Sequence, residues 1–539
     1  MSKVRQKLPI ILLVLLSAAY FVLFSLPNAA ASQDVKMVLI FQPDEAVPLP
    51  YLLDMIQPSD SIKQALINFA FYDYYFYGYP YFAVSALTLL PLKWFGQISN
   101  IPLVMLTLRQ MISVLPMLAI LWILVFLQTG LKSYRAVLLF VLLASIPAVV
   151  QNNLWWHPDS LAILFAMLVI VFLNCDGLRF GRFFYLAAAM CGFSAGTKGI
   201  GFYFFLAIFV YLLIGFVGKK ASLKKLTLAA GGFLVVMAGA YLFANPILVF
   251  AGVRRRFFTV MQSQSLLLAQ GYEVYYPKGL AASWPEMRTH YGNWPILLAA
   301  LAACLWGIWR GQHRLLNSII LAWFIPITVF DLSLIHFKSQ YWLPVALPLF
   351  STLAGILPGS ADLKKLGAWR TRQSGEVLLK GVLALVVVAQ LCFYVQSAGI
   401  RYIENLKRAE NNPSIAFYDL AGKTLAPLPA APYYVYHDTA MYVPDTSGWV
   451  TESIFEVLTY PYIEARNFDI LLVMQGRIYD YLNPAVQGID AENLALGREF
   501  YQAANQGSVR GYHLAYRNDF GLVFVKEDLY TKYYGGTGP

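Results

Sequence analysis

Eleven runs of apolar residues, each close to the length that crosses a lipid bilayer, occupy most of the first 400 residues of the chain. A spanning helix needs about 20 predominantly apolar residues. The chain is 59% apolar and only 13% charged, whereas soluble domains carry roughly 25% charged residues. The runs lie near residues 8–30, 103–129, 135–151, 159–174, 183–197, 200–217, 226–250, 292–309, 315–333, 340–358 and 378–398. The sequence therefore predicts a polytopic α-helical membrane protein with about eleven spanning helices.

Clusters of lysine and arginine between these runs predict the orientation, because basic residues accumulate in cytoplasmic loops. The first run, Leu8 to Leu26, favours a retained helix over a cleaved signal peptide, since it is longer than a usual signal core. With the N-terminus in the cytoplasm, six basic clusters fall on the cytoplasmic side: residues 2–7, 131–135, 177–182, 218–225, 310–314 and 364–372. We expect a multi-pass protein of the plasma (inner) membrane. The net charge of +11 then indicates topology and not binding to nucleic acid.

Two segments do not follow this simple topology. The run 80–96 contains Pro80, Pro91 and Lys93, and counting it as a span would invert every later loop. It is therefore predicted to be a helix that lies in the membrane interface within the first external loop. The basic cluster 254–256 begins an external loop, where it either contributes to a site for an anionic group or reaches the interface with long side chains.

The composition changes from about residue 400. Charged and polar residues become more frequent, and strand-like runs occur at 433–437, 468–474 and 512–528, the last with a turn signal at "NDFG". We predict a transmembrane domain over residues 1–400 and a small α/β domain outside the membrane over residues 401–539.

The first polar motif of the predicted external face is the adjacent pair Asp44 and Glu45. Three prolines surround the pair, Pro43, Pro48 and Pro50, and they stiffen the backbone. An ionised group near a membrane is costly unless it is paired or used, and a carboxylate held in this way can take a proton from a hydroxyl nucleophile. The alternative is a solvated pair beside a helix end.

Two further motifs lie where later spans meet the same face. "WWHPDS" contains His157 and Asp159, and Asp159 either lines a site or caps the following helix. "GTKGIG" contains Lys198 between glycines, which let a ligand approach closely. Lys198 either pairs with a phosphate or belongs to an ordinary tight turn.

A rim of cationic and aromatic residues is predicted beside these motifs. His336, Lys338 and Tyr341 lie at the outer mouth of one span, and Arg109 lies near the outer start of another. Together with Lys198 they suggest an electropositive rim for an anionic head group. Taken alone, His336 or Arg109 would be an ordinary interfacial side chain.

The sequence contains no motif for a resident metal, a disulfide or a nucleotide. The four cysteines are far apart and the six histidines lack the spacing of metal ligands. The short basic loops contain no glycine-rich phosphate loop. We expect that no cofactor is required, and leave a divalent metal open.

Taken in chain order, these motifs resemble a known family. They are similar to the integral-membrane glycosyltransferases of the C-type (GT-C) fold, in the superfamily of protein O-mannosyltransferases and lipid A aminoarabinose transferases. The resemblance covers roughly residues 8–358. The motifs are "PDEAVPLPY" (43–51), "LKWFG" (92–96), "LRQMISVLPML" (108–118), "HPDSLAILFAMLVI" (157–170), "SAGTKGIGFYFF" (194–205) and "HFKSQYWLPVALPLF" (336–350).

The resemblance implies a GT-C membrane domain with an external active site, a sugar donor carried on a polyprenyl or dolichyl phosphate, and inverting transfer. Asp44 matches the presumed catalytic base of the family, and Glu45 matches the second position of the same motif. Asp159 matches an acidic position in the second external loop.

For the donor, the resemblance implies that Lys198 lies at the phosphate and that Lys338 and Tyr341 lie near the lipid-phosphate pocket. The implied partners are the lipid-linked donor, membrane lipids and an acceptor. Because "YGYPYFAV" (77–84) stands where mannosyltransferases often carry a His-Pro-Pro motif, the acceptor stays open among a lipid, a glycan and a protein.

A transporter or a flippase for lipid-linked sugars is the main alternative function. Such proteins carry ionisable residues in mid-span, broken helices and pseudo-symmetric halves, whereas the runs here are mostly uncharged. A non-catalytic scaffold that presents the C-terminal domain is a weaker alternative, because it gives no role to acidic and basic motifs on one face.

Overall fold

A computed structural model of the protein describes residues 3–270, 278–311, 313–357, 374–486 and 491–535. The basic cluster predicted at 364–372 lies outside the described residues, as do single residues of the clusters 2–7 and 310–314. The described residues form two compact units. One comprises the described residues within 1–29, 50–262 and 278–405, and the other comprises the described residues within 30–49, 263–277 and 406–539. The division into domains at residue 400 stays a prediction.

The first unit is helical, and most residues of each of the eleven predicted apolar runs are in helix. Three of its α-helices extend beyond the bounds of the unit: Leu49–Met55, Ala251–Gln270 and Ser374–Leu406. The others are Lys3–Ala29, Ile62–Ala70, Tyr79–Trp94, Ile101–Leu108, Leu115–Thr129, Tyr134–Ala144, Pro147–Asn152, Asp159–Asp176, Arg182–Lys198, Phe205–Val217, Leu223–Phe243, Leu280–Tyr291, Trp294–Trp309, Arg314–Ser333 and Ser339–Ser351. A π-helix, Arg109–Val114, joins two of them, and 3₁₀ turns occur at Ile200–Phe204, Pro246–Val249 and Thr352–Gly355.

Among the described residues, seven helices are long and apolar enough to cross a membrane, or eight if one bent pair counts as a span. The seven are Lys7–Ala29, Ile101–Thr129, Asp159–Asp176, Ile200–Val217, Leu223–Phe243, Arg314–Ser333 and Gly381–Leu406, and the pair is Leu280–Tyr291 with Trp294–Trp309, bent by 80°. The chain is therefore a multi-pass membrane protein. The count of eleven spans, their orientation and the interfacial position of the helix Tyr79–Trp94 stay predictions.

Local sequence explains why one predicted span is interrupted. The run 135–151 is divided between Tyr134–Ala144 and Pro147–Asn152 because Ile146 precedes a proline. A residue in that position is disfavoured in the helical region, and Ile146 has an extended ψ of 124°.

Close helix packing in the first unit depends on small residues, as in other membrane proteins. The helices Arg182–Lys198 and Leu223–Phe243 approach each other at Gly192. A Cβ atom on Gly192 would lie 2.4 Å from the carbonyl oxygen of Met237, so this crossing leaves no room for a side chain.

The second unit is an α/β unit built on one five-stranded sheet. The strands are β1 (Tyr434–His437), β2 (Val450–Glu452), β3 (Ile470–Met474), β4 (Tyr512–Arg517) and β5 (Gly521–Lys526), in the order β2-β1-β3-β5-β4. The pairs β1–β2 and β1–β3 are parallel, and β5 is antiparallel to both β3 and β4. The helices are Val35–Phe41, Pro43–Ala46, Pro413–Thr424, Tyr460–Arg466, Gln475–Leu482, Ala491–Gln506 and Glu527–Tyr534, with a 3₁₀ turn at Asp445–Ser447.

The strands predicted from the sequence are confirmed. The predicted turn joins β4 to β5, where the Asn518 side chain accepts hydrogen bonds from the backbone of Phe520 and Gly521 at 2.9 and 3.0 Å. Both faces of β3 are covered: Leu471 and Val473 pack into one apolar cluster, and the alternate residues of the strand pack into another. The sequence of a strand that is covered on both faces is a continuous run of apolar residues.

Residues 30–49, here called the first-loop segment, belong to this α/β unit and not to the helical one. The hydroxyl of Tyr442 donates to Asp34 at 2.9 Å, and the ammonium of Lys36 donates to the hydroxyl of Thr451 at 3.3 Å. Arg408 donates to a carbonyl oxygen at the start of the segment at 3.1 Å. The acidic pair is thus carried on a segment that the C-terminal residues hold in place.

Candidate active site

Asp159 is the centre of a buried polar cluster in the helical unit. One carboxylate oxygen accepts a hydrogen bond from the ammonium of Lys198, and the other is bonded to Nδ1 of His157. The Asp159 side chain is only 1% exposed, whereas that of Lys198 is 16% exposed. Asp159 begins one helix and Lys198 ends another, so each charge is favourably placed with respect to its own helix dipole.

His157 is fixed by contacts on three sides. Its ring stacks on Trp155 with the centroids 4.1 Å apart, and its Nε2 lies 3.1 Å from the hydroxyl oxygen of Tyr77. Because Nδ1 donates to the Asp159 carboxylate in the neutral ring, Nε2 is left to accept a hydrogen bond from Tyr77. The imidazole therefore holds the carboxylate in one orientation.

Two glycines explain how Tyr77 reaches this cluster. The backbone N–H of Gly78 donates to the carbonyl oxygen of Thr197 at 3.1 Å. A Cβ atom on Gly78 would lie only 1.5 Å from the carbonyl oxygen of Gly196. The motif "YGYP" can thus pack against the end of the helix that carries Lys198 only because glycine occupies position 78.

The helix that follows this motif is attached to the same region by aromatic contacts. Tyr81 stacks on Trp156 with the centroids 4.9 Å apart. The indole N–H of Trp156 donates to the hydroxyl of Ser85 at 2.9 Å. The tryptophan pair before His157 therefore supports the cluster in addition to any role at the interface.

Two lysines share one tyrosine ring next to Asp159. The ammonium nitrogen of Lys198 lies 4.9 Å from the ring centroid of Tyr341, and that of Lys338 lies 5.7 Å from it. A cation within about 6 Å of an aromatic face is attracted to it. The structure thus brings His157, Asp159, Lys198, Lys338 and Tyr341 together, which are five of the residues predicted for the site.

Asp331 is a buried carboxylate that sequence reasoning missed. It lies near the end of the helix Arg314–Ser333, is 1% exposed, and interacts electrostatically with Lys198. Its Oδ2 atom has no hydrogen-bond partner among the described residues. Burying such a group without a partner is costly, so we consider it part of the candidate site. The sequence feature that could have identified Asp331 is the presence of an ionisable residue inside a predicted span.

Tyr77 is a second site residue that the sequence did not predict. It lies in "YGYP", at the start of the motif that departs from the mannosyltransferase pattern. The useful signal was a glycine between two tyrosines directly before a proline, which indicates a close backbone approach.

Other predicted residues lie elsewhere. Arg109 is fully buried in the π-helix, and its guanidinium donates to the carbonyl oxygen of Asn28 at 2.8 Å. It thus ties the first helix to the bundle. His336 is half-buried in the loop that carries Lys338. Asp44 and Glu45 lie in the α/β unit, in the short helix Pro43–Ala46, where Asp44 is exposed and Glu45 is buried.

No group of three or more histidine, cysteine, aspartate or glutamate side chains is arranged to hold a metal ion in the described part of the chain. The candidate site consists instead of buried carboxylates, two ammonium groups and aromatic rings. Such an arrangement can bind an anion next to hydrogen-bond acceptors.

No protein-family model matches the chain, and no curated protein matches it in sequence. Solved structures do match it. The crystal structure of ArnT from Cupriavidus metallidurans bound to undecaprenyl phosphate superposes with a TM-score of 0.51 and 12% identity, over 98% of this chain and 99% of that chain. The oligosaccharyltransferase of Archaeoglobus fulgidus in the apo form superposes with a TM-score of 0.51 and 13% identity, over 93% of this chain and 73% of that chain.

The chain has the GT-C fold. The predicted fold class, a helical membrane protein with a small C-terminal α/β part, is thereby confirmed. At 12 and 13% identity the likeness concerns the fold, and function depends on the site.

Proposed function

We propose that the protein is a membrane glycosyltransferase that moves a sugar from a polyprenyl-phosphate donor to an acceptor hydroxyl, with inversion at the anomeric carbon. The observation that carries the proposal is the pair of ammonium groups, Lys198 and Lys338, on the ring of Tyr341 beside the buried Asp159. The GT-C fold supports it, as does the matching ArnT structure with undecaprenyl phosphate bound.

The donor phosphate is assigned to the two lysines. When the bond between the anomeric carbon and the phosphate oxygen breaks, its electron pair leaves with polyprenyl phosphate. Ammonium groups already fixed in position stabilise this developing charge. They can do so without a metal ion, although the proposal leaves a divalent metal open.

Asp159 and His157 are assigned as positioning residues. Both carboxylate oxygens of Asp159 are engaged, one by Lys198 and one by His157, so this carboxylate is poorly suited to accept a proton from an acceptor. Its role is to hold the ammonium of Lys198 in one direction. Tyr77 in turn holds His157.

Asp44 is assigned as the base because its side chain is exposed, whereas Glu45 is buried. In the proposed step the acceptor oxygen attacks the anomeric carbon from the face opposite the phosphate, and its proton passes to the Asp44 carboxylate. The reaction is assigned to the external face of the plasma membrane. The acceptor is a lipid, a glycan or a protein with a free hydroxyl.

The test uses the purified full-length chain, undecaprenyl-phosphate sugars and a membrane extract as the source of acceptors. Release of undecaprenyl phosphate, followed by mass spectrometry, reports transfer without knowledge of the acceptor. We expect Asp44→Asn to lower the rate by roughly 100-fold or more, because general-base catalysis contributes about 10²–10⁴-fold. Asp60→Asn, which changes another exposed carboxylate before the helix Ile62–Ala70, should leave the rate unchanged.

A wild-type rate in folded Asp44→Asn would end the assignment of the base. A flippase would give a different result altogether. The protein in vesicles would then expose a labelled lipid-linked sugar on the other leaflet while the bond to the phosphate stays intact.

A further inference from the structure

A cavity of about 640 Å³ lies in the helical unit, away from the residues of the candidate site. It is a partly open groove between the helix Leu280–Tyr291 and the C-terminal part of the helix Ser374–Leu406. Its walls combine apolar side chains, such as Phe393 and Ile400, with the charged side chains of three residues: Arg288, Arg401 and Glu404. Cavities of about 300–1,000 Å³ commonly hold small ligands.

The surrounding elements indicate the depth of this cavity in a membrane. Arg401 and Glu404 lie in the last two turns of the apolar helix Gly381–Leu406, where a spanning helix reaches the head groups. The helix Leu280–Tyr291 is bent by 80° from the apolar helix that follows it, and Trp284 stacks on Trp294 with the centroids 4.1 Å apart. Tryptophans concentrate at the membrane interface, so the cavity opens at the level of phospholipid head groups.

The charged groups of the cavity have unused hydrogen-bonding capacity. Arg401 is held in place because its guanidinium donates to Gln151 at 2.9 Å, but its Nε is buried and has no partner among the described residues. The side chains of Arg288 and Glu404 are exposed and form no direct ion pair or hydrogen bond within the described part of the chain, and the charge of Glu404 acts only at longer range on Arg401. A ligand that satisfies all three must carry both signs of charge.

We propose that this cavity binds a phospholipid whose head group carries a primary ammonium, as phosphatidylethanolamine does. The phosphate lies between Arg288 and Arg401, which bind phosphate well through their planar guanidinium groups. The ammonium donates hydrogen bonds to Glu404, and the acyl chains follow Phe393 and Ile400 into the bilayer. The proposal is independent of the glycosyltransferase assignment.

Two related lipids serve as matched controls for the ligand. Phosphatidylcholine keeps the phosphate and the positive charge, but its quaternary nitrogen has no N–H to donate to Glu404. Phosphatidylglycerol keeps the phosphate and presents hydroxyls in place of the ammonium. Since a hydrogen bond between charged groups is considerably stronger than one between neutral groups, we expect phosphatidylethanolamine to bind about tenfold more tightly than either.

The experiment is native mass spectrometry of the delipidated full-length chain titrated with each lipid. Arg288→Gln should weaken all three lipids, because it removes a phosphate contact. Glu404→Gln should abolish the preference for phosphatidylethanolamine over phosphatidylcholine, because it weakens phosphatidylethanolamine more than phosphatidylcholine. Arg314→Gln, which changes an exposed arginine outside the cavity, is the matched control and should behave as the wild type.

Equal binding of the three lipids to the wild type would overturn the proposal. So would a wild-type preference retained in Glu404→Gln, or displacement of bound phosphatidylethanolamine by stoichiometric undecaprenyl phosphate. Both substitutions lie at exposed side chains, so a melting temperature equal to that of the wild type will separate loss of binding from loss of fold.

Discussion

Among the described residues, each unit contains a buried aspartate paired with a cation, Asp159 in the helical unit and Asp438 in the α/β unit, and the surroundings of the two pairs differ. In the α/β unit, Asp438 lies directly after β1. It accepts hydrogen bonds from the hydroxyl of Tyr436 at 2.9 Å and from the backbone N–H of Met474 at 2.6 Å, and its carboxylate lies 3.5 Å from Nε of Arg477. Arg477 also donates to the carbonyl oxygen of Phe455 at 2.8 Å. This pair joins the ends of β1 and β3.

The pair in the helical unit has further charged neighbours. Lys198 shares the ring of Tyr341 with a second ammonium, and nearby Asp331 has an oxygen without a hydrogen-bond partner among the described residues. A buried ion pair is stabilising only when its other polar atoms are satisfied. We therefore assign the pair in the α/β unit to the fold, whereas the unpartnered oxygen of Asp331 beside the other pair indicates a ligand.

The two roles, one in the fold and one in the site, are tested by making the same substitution at Asp438 and at Asp159. Asp438→Asn should cost the α/β unit about 3 kcal/mol, because it leaves the charge of Arg477 buried. Asp159→Asn should lower release of undecaprenyl phosphate by roughly 100-fold, which is typical of losing one preorganised electrostatic group, and leave the fold intact. Hydrogen exchange of both units and the transfer rate, measured on each variant, check the two expectations. If Asp159→Asn unfolds the helical unit, the distinction fails.

A buried histidine makes the stability of the α/β unit depend on pH. His437 in β1 is 1% exposed, and burial lowers its pKa to about 4, with the nearby charge of Lys36 acting in the same direction. An unfolded histidine has a pKa near 6.5. Between pH 4 and pH 6.5 the unfolded unit therefore binds one more proton than the folded unit. The free energy of unfolding is at its maximum above pH 6.5 and falls by up to about 3 kcal/mol towards pH 4.

The measurement is hydrogen exchange of the β3 peptide at pH 7.5 and pH 5, corrected for intrinsic rates. Protection should fall at pH 5 in the wild type and fall less in His437→Gln. Burial raises the pKa of the neighbouring Asp438, which acts in the opposite direction and stays the same in both proteins. Equal losses of protection in the two proteins would exclude His437 as the cause.

The smallest expected effect is at Asp331. Asp331→Asn replaces a buried carboxyl group without removing a hydrogen bond that the described residues make, so the melting temperature should stay the same or rise. The transfer rate should fall about tenfold, which corresponds to one lost hydrogen bond to substrate. Ser333→Ala, two residues further along the same helix and exposed, should change neither quantity. A faster or unchanged rate in Asp331→Asn would remove this residue from the site.

Much of the architecture could be predicted because its signals are local. Apolar runs identified the helices, and the short runs at 433–437, 468–474 and 512–528 identified four of the five strands. β2 was missed because it has three residues, none of them buried. The proline at position 147 indicates that the helix is interrupted there. The mean hydropathy of the run 135–151 does not show this interruption.

The site could be predicted only in part, for a physical reason. His157, Asp159 and Lys198 lie in short motifs at helix ends, where unusual residues are visible in the sequence. Tyr77 joins them through a contact between glycines that are far apart in the chain, and no local pattern reports such a contact. The same holds for the first-loop segment, whose partners are more than 350 residues away.

That distance has a consequence for biosynthesis. Asp34 leaves the ribosome 408 residues before Tyr442, which completes its hydrogen bond. At about 5–20 residues per second, translation separates the two by roughly 20–80 s. During this interval residues 30–49 of the nascent chain lack their hydrogen-bond partners. A chain truncated before β1 could never form the hydrogen bonds to Tyr442 and Thr451. Premature termination should therefore yield chains whose helices are inserted in the membrane. In such chains the segment that carries Asp44 and Glu45 would lack the C-terminal residues that hold it in place.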